Sequence, residues 1–150
     1  MNPAASMDIL LVEDNPDHAE LTRRALRNGS SHRVEWVKDG QEALDFLNRR
    51  GPWATYSGGP PSVILLDIGL PKLNGHEVLR SVKSDERLRC IPVIMLSTSA
   101  DPGDVARSYR AGANSYVVKA LDFADFTGRV KAIKDYWANT NVFSGTPVPA

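Results

Sequence analysis

Five times along this chain a short apolar run rich in β-branched residues gives way to an amphipathic stretch of helical length, and that alternation decides the fold class. The apolar runs are residues 9–12, 34–37, 63–66, 93–96 and 116–118, each bounded by turn or charged residues. Between them, Ala19, Leu21, Ala25 and Leu26 set one helix face, Ala43, Leu44 and Leu47 a second, and Val78, Leu79 and Val82 a third. Val105 and Tyr109 mark a fourth helix. Phe123, Phe126, Val130, Ile133 and Trp137 mark a fifth, stepping by 3, 4, 3 and 4 residues as a helix stripe does. Strand-then-helix units in series predict a mostly parallel sheet with helices on both faces. Strands covered on both sides read as unbroken apolar runs, as Val63-Ile64-Leu65-Leu66 does. Among doubly wound parallel sheets, five strands favour the flavodoxin-like (βα)5 order 2-1-3-4-5.

At 150 residues the chain is expected to form a single domain, its core over about 8–138 and a tail over 139–150 that carries Pro147 and Pro149 and should leave the domain or fray. Lys plus Arg (18) match Asp plus Glu (18), so no basic field points to nucleic acid or to an anionic membrane. No reader motif for DNA is present either. Cys90 is the only cysteine, which excludes an internal disulfide and a Cys-rich zinc site. No apolar run is long enough to span a bilayer, and residues 1–7 lack the basic and apolar regions of a secretory leader. A soluble, cytoplasmic protein is expected. The loop over 51–61 is rich in Gly and Pro yet carries Trp53 and Tyr56, so it should be ordered and partly packed.

In an open parallel sheet, ligands gather at the carboxyl ends of the strands. Strand 1 ends in Glu13-Asp14, strand 3 in Asp67, strand 4 in Ser97-Thr98 and strand 5 in Lys119, so three carboxylates, a hydroxyl and an ammonium meet on one rim. Hard oxygen donors without His or Cys suit Mg²⁺, and carboxylates so crowded need a cation nearby. A carboxylate such as Asp67 can act as a nucleophile on phosphorus, a reaction that needs positioning and charge neutralisation above all. Each residue taken alone has a plainer role. Asp14-Asn15-Pro16 is a good helix start, Asp67 a turn acid before Gly69 and Pro71, residues 97–101 a capping loop, and Lys119 a side chain that snorkels to water. Their joint placement on one edge, from four separate units, favours the site.

These residues lie in motifs that carry a resemblance. Val12-Glu13-Asp14-Asn15-Pro16, Leu65-Leu66-Asp67-Ile68-Gly69-Leu70-Pro71 with Asn74-Gly75, Ile91-Pro92-Val93-Ile94-Met95-Leu96-Ser97, and Ala111-Gly112-Ala113-Asn114-Ser115-Tyr116-Val117-Val118-Lys119 resemble the receiver domains of response regulators over residues 8–137. The resemblance implies a two-component phosphorelay switch, not an enzyme acting on metabolites. In that role Asp67 takes a phosphoryl group from a sensor histidine kinase. Glu13, Asp14, Asp67 and the Gly69 backbone carbonyl hold Mg²⁺, Ser97 and Lys119 contact the phosphoryl oxygens, and Tyr116 turns inward on activation. Leu70-Pro71-Lys72-Leu73-Asn74-Gly75, the Trp53/Tyr56 loop, Ser108-Tyr109 and Asp135-Tyr136-Trp137 are similar to the small receivers that serve bacterial phytochrome kinases, which implies such a kinase as partner, a C-terminal extension and a homodimer. With no output domain expected after Trp137, the signal would pass to a downstream protein by contact or by phosphate relay.

Two departures stand out. Ala120 follows Lys119 where receivers usually carry proline, and a cis bond before a non-proline costs about 2.5–4 kcal/mol, so this loop is expected to run trans and to place Lys119 or the start of the fifth helix differently. Gly69 replaces a larger side chain, which should leave one wall open to water and shorten the life of a phosphoryl group. Three alternatives fit less well. A haloacid-dehalogenase-like phosphohydrolase needs a general acid at the position of Gly69, a flavin carrier would set its phosphate against Glu13-Asp14, and a pseudo-receiver would not keep every site residue.

The fifth helix and its continuation expose aromatic character at Tyr136, Trp137 and Phe143, with Phe126 on the same stripe, and such surface marks partner sites. A symmetric homodimer through the helix 4–strand 5–helix 5 side is expected, with the tail reaching across. Light scattering should report a dimer for the full chain that is lost on truncation after Ala138. A monomer with and without phosphate and Mg²⁺ would refute it.

Overall fold

The computed structural model describes residues 6–143, so the expectations for the chain start over 1–5 and for Pro147 and Pro149 over 144–150 fall outside the described residues. The five strands are β1 (Asp8–Val12), β2 (Arg33–Val37), β3 (Val63–Leu66), β4 (Val93–Ser97) and β5 (Ser115–Val118). They alternate with α1 (Pro16–Arg27), α2 (Gly40–Leu47), α3 (Gly75–Ser84), α4 (Pro102–Arg110) and α5 (Phe123–Asp135). All strand pairs are parallel and the order is β2-β1-β3-β4-β5, as expected of the flavodoxin-like arrangement.

Strand periodicity divides the core in two. Leu10, Val12, Ile64, Leu66, Val93 and Met95 face α2 and α3, where they meet Ala43, Phe46, Leu47, Val78, Leu79 and Val82. Their neighbours Ile9, Leu11, Leu65, Ile94 and Leu96 face α1 and α5, meeting Ala19, Leu26, Phe126, Val130 and Ile133. The centre of the sheet is dry on both faces, and β3 and β4 are buried along their whole length. At the edge, β5 is only half-buried throughout.

Helix starts follow local chemistry. Asn15 Oδ1 accepts from the Asp17 and His18 amides, with Pro16 at the first helical position. Asn74 and Glu77 form a reciprocal capping box at α3. The loop over 51–61 is packed as expected: Trp53 and Tyr56 sit on Phe46 at 5.9 and 5.2 Å between ring centroids, and the Arg49 guanidinium lies over Phe46 and Tyr56 while donating to the Gly58 and Gly59 carbonyls.

Three expectations need correction. Phe126 is only 4% exposed and belongs to the core, because its place on α5 points it at the sheet, so it is unavailable to a partner. Phe123, on the same stripe, is exposed because it starts the helix beyond the edge of the sheet. Tyr109 is exposed too, and α4 instead buries Ser108 against α3. Past α5 the described chain, through residue 143, stays against the core at Trp137, Ala138 and Phe143. It closes a wide helical turn over Tyr136–Thr140, and Phe143 returns to Trp137 at 6.2 Å.

Two histidines are built into this packing. The His76 ring, buried in α3, hydrogen-bonds Ser108 Oγ at 3.0 Å, and the His32 Nδ1 accepts from the Met7 amide at 2.9 Å. Burial lowers both pKa values from the ordinary 6.5, and likewise that of His18. The unfolded chain therefore takes up more protons than the folded one as pH drops through 6.5, and stability rises with pH across that window. His76→Gln removes one such group and keeps a hydrogen-bonding side chain. Its melting temperature should fall less than the parent's between about pH 7.5 and about pH 5.5; an equal or larger fall would contradict the assignment.

Candidate functional site

Backbone pairing brings the strand ends level. The Glu13 amide donates to the Val37 carbonyl, the Asp67 amide to the Val12 carbonyl, and the Lys119 amide to the Ser97 carbonyl at 2.7 Å. Each pairing carries a sheet hydrogen bond one step past its strand and aims a polar side chain at the same rim. Glu13, Asp14, Asp67, Ser97 and Lys119 all stand on that carboxyl edge, although Asp14 is exposed while Glu13, Ser97 and Lys119 are buried.

Lys119 is the hub. Its Nζ donates to Glu13 Oε1 at 2.5 Å, to Asp67 Oδ2 at 3.0 Å and contacts His18 Nδ1 at 3.1 Å, with the lysine side chain only 2% exposed. An ammonium has three donors and no acceptor, so all three are used here and His18 must offer its Nδ1 lone pair. Burial pushes the Glu13 carboxyl up to about 7, against the pull of Lys119. Burial and then the Lys119 charge lower the His18 pKa, which favours the neutral ring.

One oxygen from each of Glu13, Asp14 and Asp67 lies within 4.8 Å of the others, a spacing at which a single hard cation can bind all three. The residues thus fit a divalent ion. The Asp67 backbone is held from behind: a Cβ at Gly75 would stand 2.1 Å from the Asp67 carbonyl oxygen, so α3 can begin directly under Asp67 only with glycine there. Gly69 is the opposite case, since a Cβ at that position would meet nothing within 4 Å. The wall beside Asp67 is open to solvent.

Ser97 Oγ accepts from the Ser99 amide at 3.2 Å, and the Ser99 carbonyl accepts from the Tyr116 hydroxyl at 2.8 Å. Ser97 and Tyr116 therefore share one loop, with the Tyr116 ring packed partly into the core. The described residues contain no cis peptide bond, so the chain passes from Lys119 to Ala120 in trans, and Lys119 still reaches Asp67. Sequence reading missed His18. The signal was its place in the first turn of α1, four residues past Asp14, but that turn reads first as a cap.

Residues 9–131 match the model of the response regulator receiver domain. This chain belongs to the response regulator receiver family. It is 47% identical over 137 residues to the probable methanogenesis regulatory protein FilR2 of Methanothrix harundinacea, covering 89% of this chain and 84% of that protein. It is 37% identical to the response regulator Rcp1 of Synechocystis over 88% of this chain and 89% of Rcp1. The Mn²⁺-bound structure of Rcp1 superposes with a TM-score of 0.85 over 92% of this chain and 99% of that one. The phosphorylated cyanobacterial phytochrome response regulator RcpA does so with a TM-score of 0.87 at 39% identity, over 93% of this chain and 99% of that one. The receiver thus has the fold and family implied by its motifs, and close likeness to phytochrome response regulators. Among the described residues no helix is long and apolar enough to cross a membrane.

The close approach at Gly75 makes one consequence direct. Gly75→Ala should cost about 1–3 kcal/mol of stability in urea unfolding, as overpacking does. It should also shift the amide resonances of residues 67–69. Unchanged stability together with unchanged resonances would show that α3 does not press on Asp67.

Proposed function

We propose that this receiver accepts a phosphoryl group on Asp67 from a sensor histidine kinase, with Mg²⁺ held by Glu13, Asp14, Asp67 and the Gly69 carbonyl. The observation that carries it is the Lys119 ammonium on Asp67 Oδ2 at 3.0 Å beside an acidic cluster with metal-ligand spacing. An Asp67 oxygen attacks phosphorus, the P–N bond to the kinase histidine breaks, and the departing imidazole keeps the electron pair and takes a proton. Lys119 neutralises charge on the transferred group, and Ser97, within the same edge, receives one of its oxygens. The cation, when bound, supplies charge neutralisation and orients the phosphoryl oxygens. Lys119 offsets only part of the negative charge of Glu13, Asp14 and Asp67, so the residues bind and orient while the donor supplies the bond energy.

RcpA is a phytochrome response regulator by name, and its likeness here supports a bacterial phytochrome kinase as the partner of this chain. That Rcp1 has been crystallised in a Mn²⁺-bound form supports a divalent ion for this chain too. We place the working unit at residues 8–138, in the cytoplasm with its kinase, and read the chain as a signalling switch that acts on a downstream protein. Phosphorylation would pull the Ser97–Ser99 loop and release the Tyr116 hydroxyl from the Ser99 carbonyl, a local charge change read by a two-state aromatic. The homodimer retains Tyr136, Trp137 and Phe143 as contact residues, beside a groove lined by Ser115, Val117, Arg129 and Ile133, without Phe126. Neither DNA nor a membrane is called for.

Acetyl phosphate with Mg²⁺ should add the mass of one phosphoryl group to the parent and none to Asp67→Asn, which keeps the shape of the side chain without its nucleophilicity. Stoichiometric uptake by Asp67→Asn would refute the assignment. Asp14→Ala should weaken Mg²⁺ binding about tenfold or more by calorimetric titration; unchanged affinity would remove Asp14 from the metal site.

A further inference from the structure

The Lys119 ammonium divides its three hydrogen bonds among groups of unlike character. Glu13 and Asp67 both belong to the acidic cluster that fits a divalent ion, and Asp67 is also the proposed phosphoacceptor. Any event at that cluster changes what those two oxygens can offer to Lys119. His18 stands outside it. Its ring comes from the first turn of α1 and lies against Phe126 of α5, with centroids 5.8 Å apart and planes tilted by 42°. Its backbone is fixed at both sides: the amide donates to Asn15 Oδ1 at 3.1 Å and the carbonyl accepts from Thr22 Oγ1 at 2.7 Å. The Nδ1 atom that meets Lys119 at 3.1 Å therefore sits on a rigid mount, and facing an ammonium that can only donate it serves as an acceptor.

We propose that His18 is a positioning residue for phosphoryl uptake: its Nδ1 lone pair anchors the Lys119 ammonium beside Asp67. This deepens the reading of Asp67 as phosphoacceptor and rests on it. A charged anchor would compete with the phosphoryl group for Lys119, or repel it, whereas a neutral ring nitrogen holds the ammonium without cancelling its charge. The lysine stem is long and has four rotatable bonds, so without a third acceptor the ammonium is free to follow Glu13 away from the reacting oxygen. A displacement of about 1 Å in such a group is enough to slow transfer strongly. The same contact ties α1 and α5 to the end of β5, which makes the position of the lysine sensitive to packing at His18 and Phe126.

The test uses the full chain and two readouts. Long-range ¹H–¹⁵N correlation spectra of the parent should show the His18 proton on Nε2, and Lys119→Met should weaken that preference. A parent with the proton on Nδ1 overturns the proposal, whatever the kinetics. Phosphoryl uptake from acetyl phosphate and Mg²⁺ is then timed for the parent, His18→Leu and His18→Asn; this small donor needs no docking on α1. His18→Leu keeps an apolar body against Phe126 and should slow uptake about tenfold. In His18→Asn, Oδ1 occupies the position of Nδ1 along the side chain, and the rate should return to within about threefold of the parent. Equal slowing in both variants would assign His18 to packing alone, and an unslowed His18→Leu would leave it no role; either result overturns the proposal. A parent that takes up no phosphoryl group would count against Asp67 as acceptor, and the tautomer would then decide the His18–Lys119 anchor by itself.

Discussion

The buried ammonium of Lys119 is the constraint on which the carboxyl edge of the sheet depends. A cation removed from water at 2% exposure is tolerable only with partners in good geometry, and Glu13, Asp67 and His18 supply three. Glu13 has the converse need. Its own burial raises its pKa to about 7, and the lysine is what favours its charged form. Because the three acceptors come from the ends of β1 and β3 and from α1, and the donor from the end of β5, one satisfied ion-pair cluster pins four separate segments. The same cluster is where chemistry is expected, since charges held in place before the reaction need not reorganise during it.

Two glycines set the limits of that cluster in opposite ways. Gly75 lets α3 start directly beneath the Asp67 carbonyl, so the acidic residue stands on a rigid helix end, while Gly69 leaves the solvent side of Asp67 without a wall. Rigidity behind and access in front suit the proposed phosphoacceptor, which a kinase and later water would have to reach. Ala120 completes the picture: with a trans peptide after Lys119, the ammonium reaches Asp67.

Most of this architecture was legible in the residue order because strand and helix signals alternate cleanly, and because a parallel sheet collects its strand ends on one edge. The grouping of Glu13, Asp14, Asp67, Ser97 and Lys119 thus follows from their places at the strand ends. What stayed hidden depends on facing. Phe126 and Phe123 share a stripe on α5, yet the first is core and the second solvent, because the stripe runs past the edge of the sheet. Tyr109 looked like the buried face of α4, but that helix is short and turns Ser108 inward to His76. His18 carries no motif at all. Only the seating of the first turn of α1 beside the end of β5 brings its ring to Lys119.

The atom of this chain to which a phosphoryl group bonds is the most direct observable of its function. Borohydride reduces an acyl phosphate on aspartate to homoserine, which marks the residue permanently. After treatment of the full chain with acetyl phosphate and Mg²⁺, reduction and peptide sequencing by mass spectrometry should find homoserine at position 67. Homoserine at another carboxylate, or phosphate retained on a serine, threonine or histidine in its place, would contradict Asp67 as the acceptor.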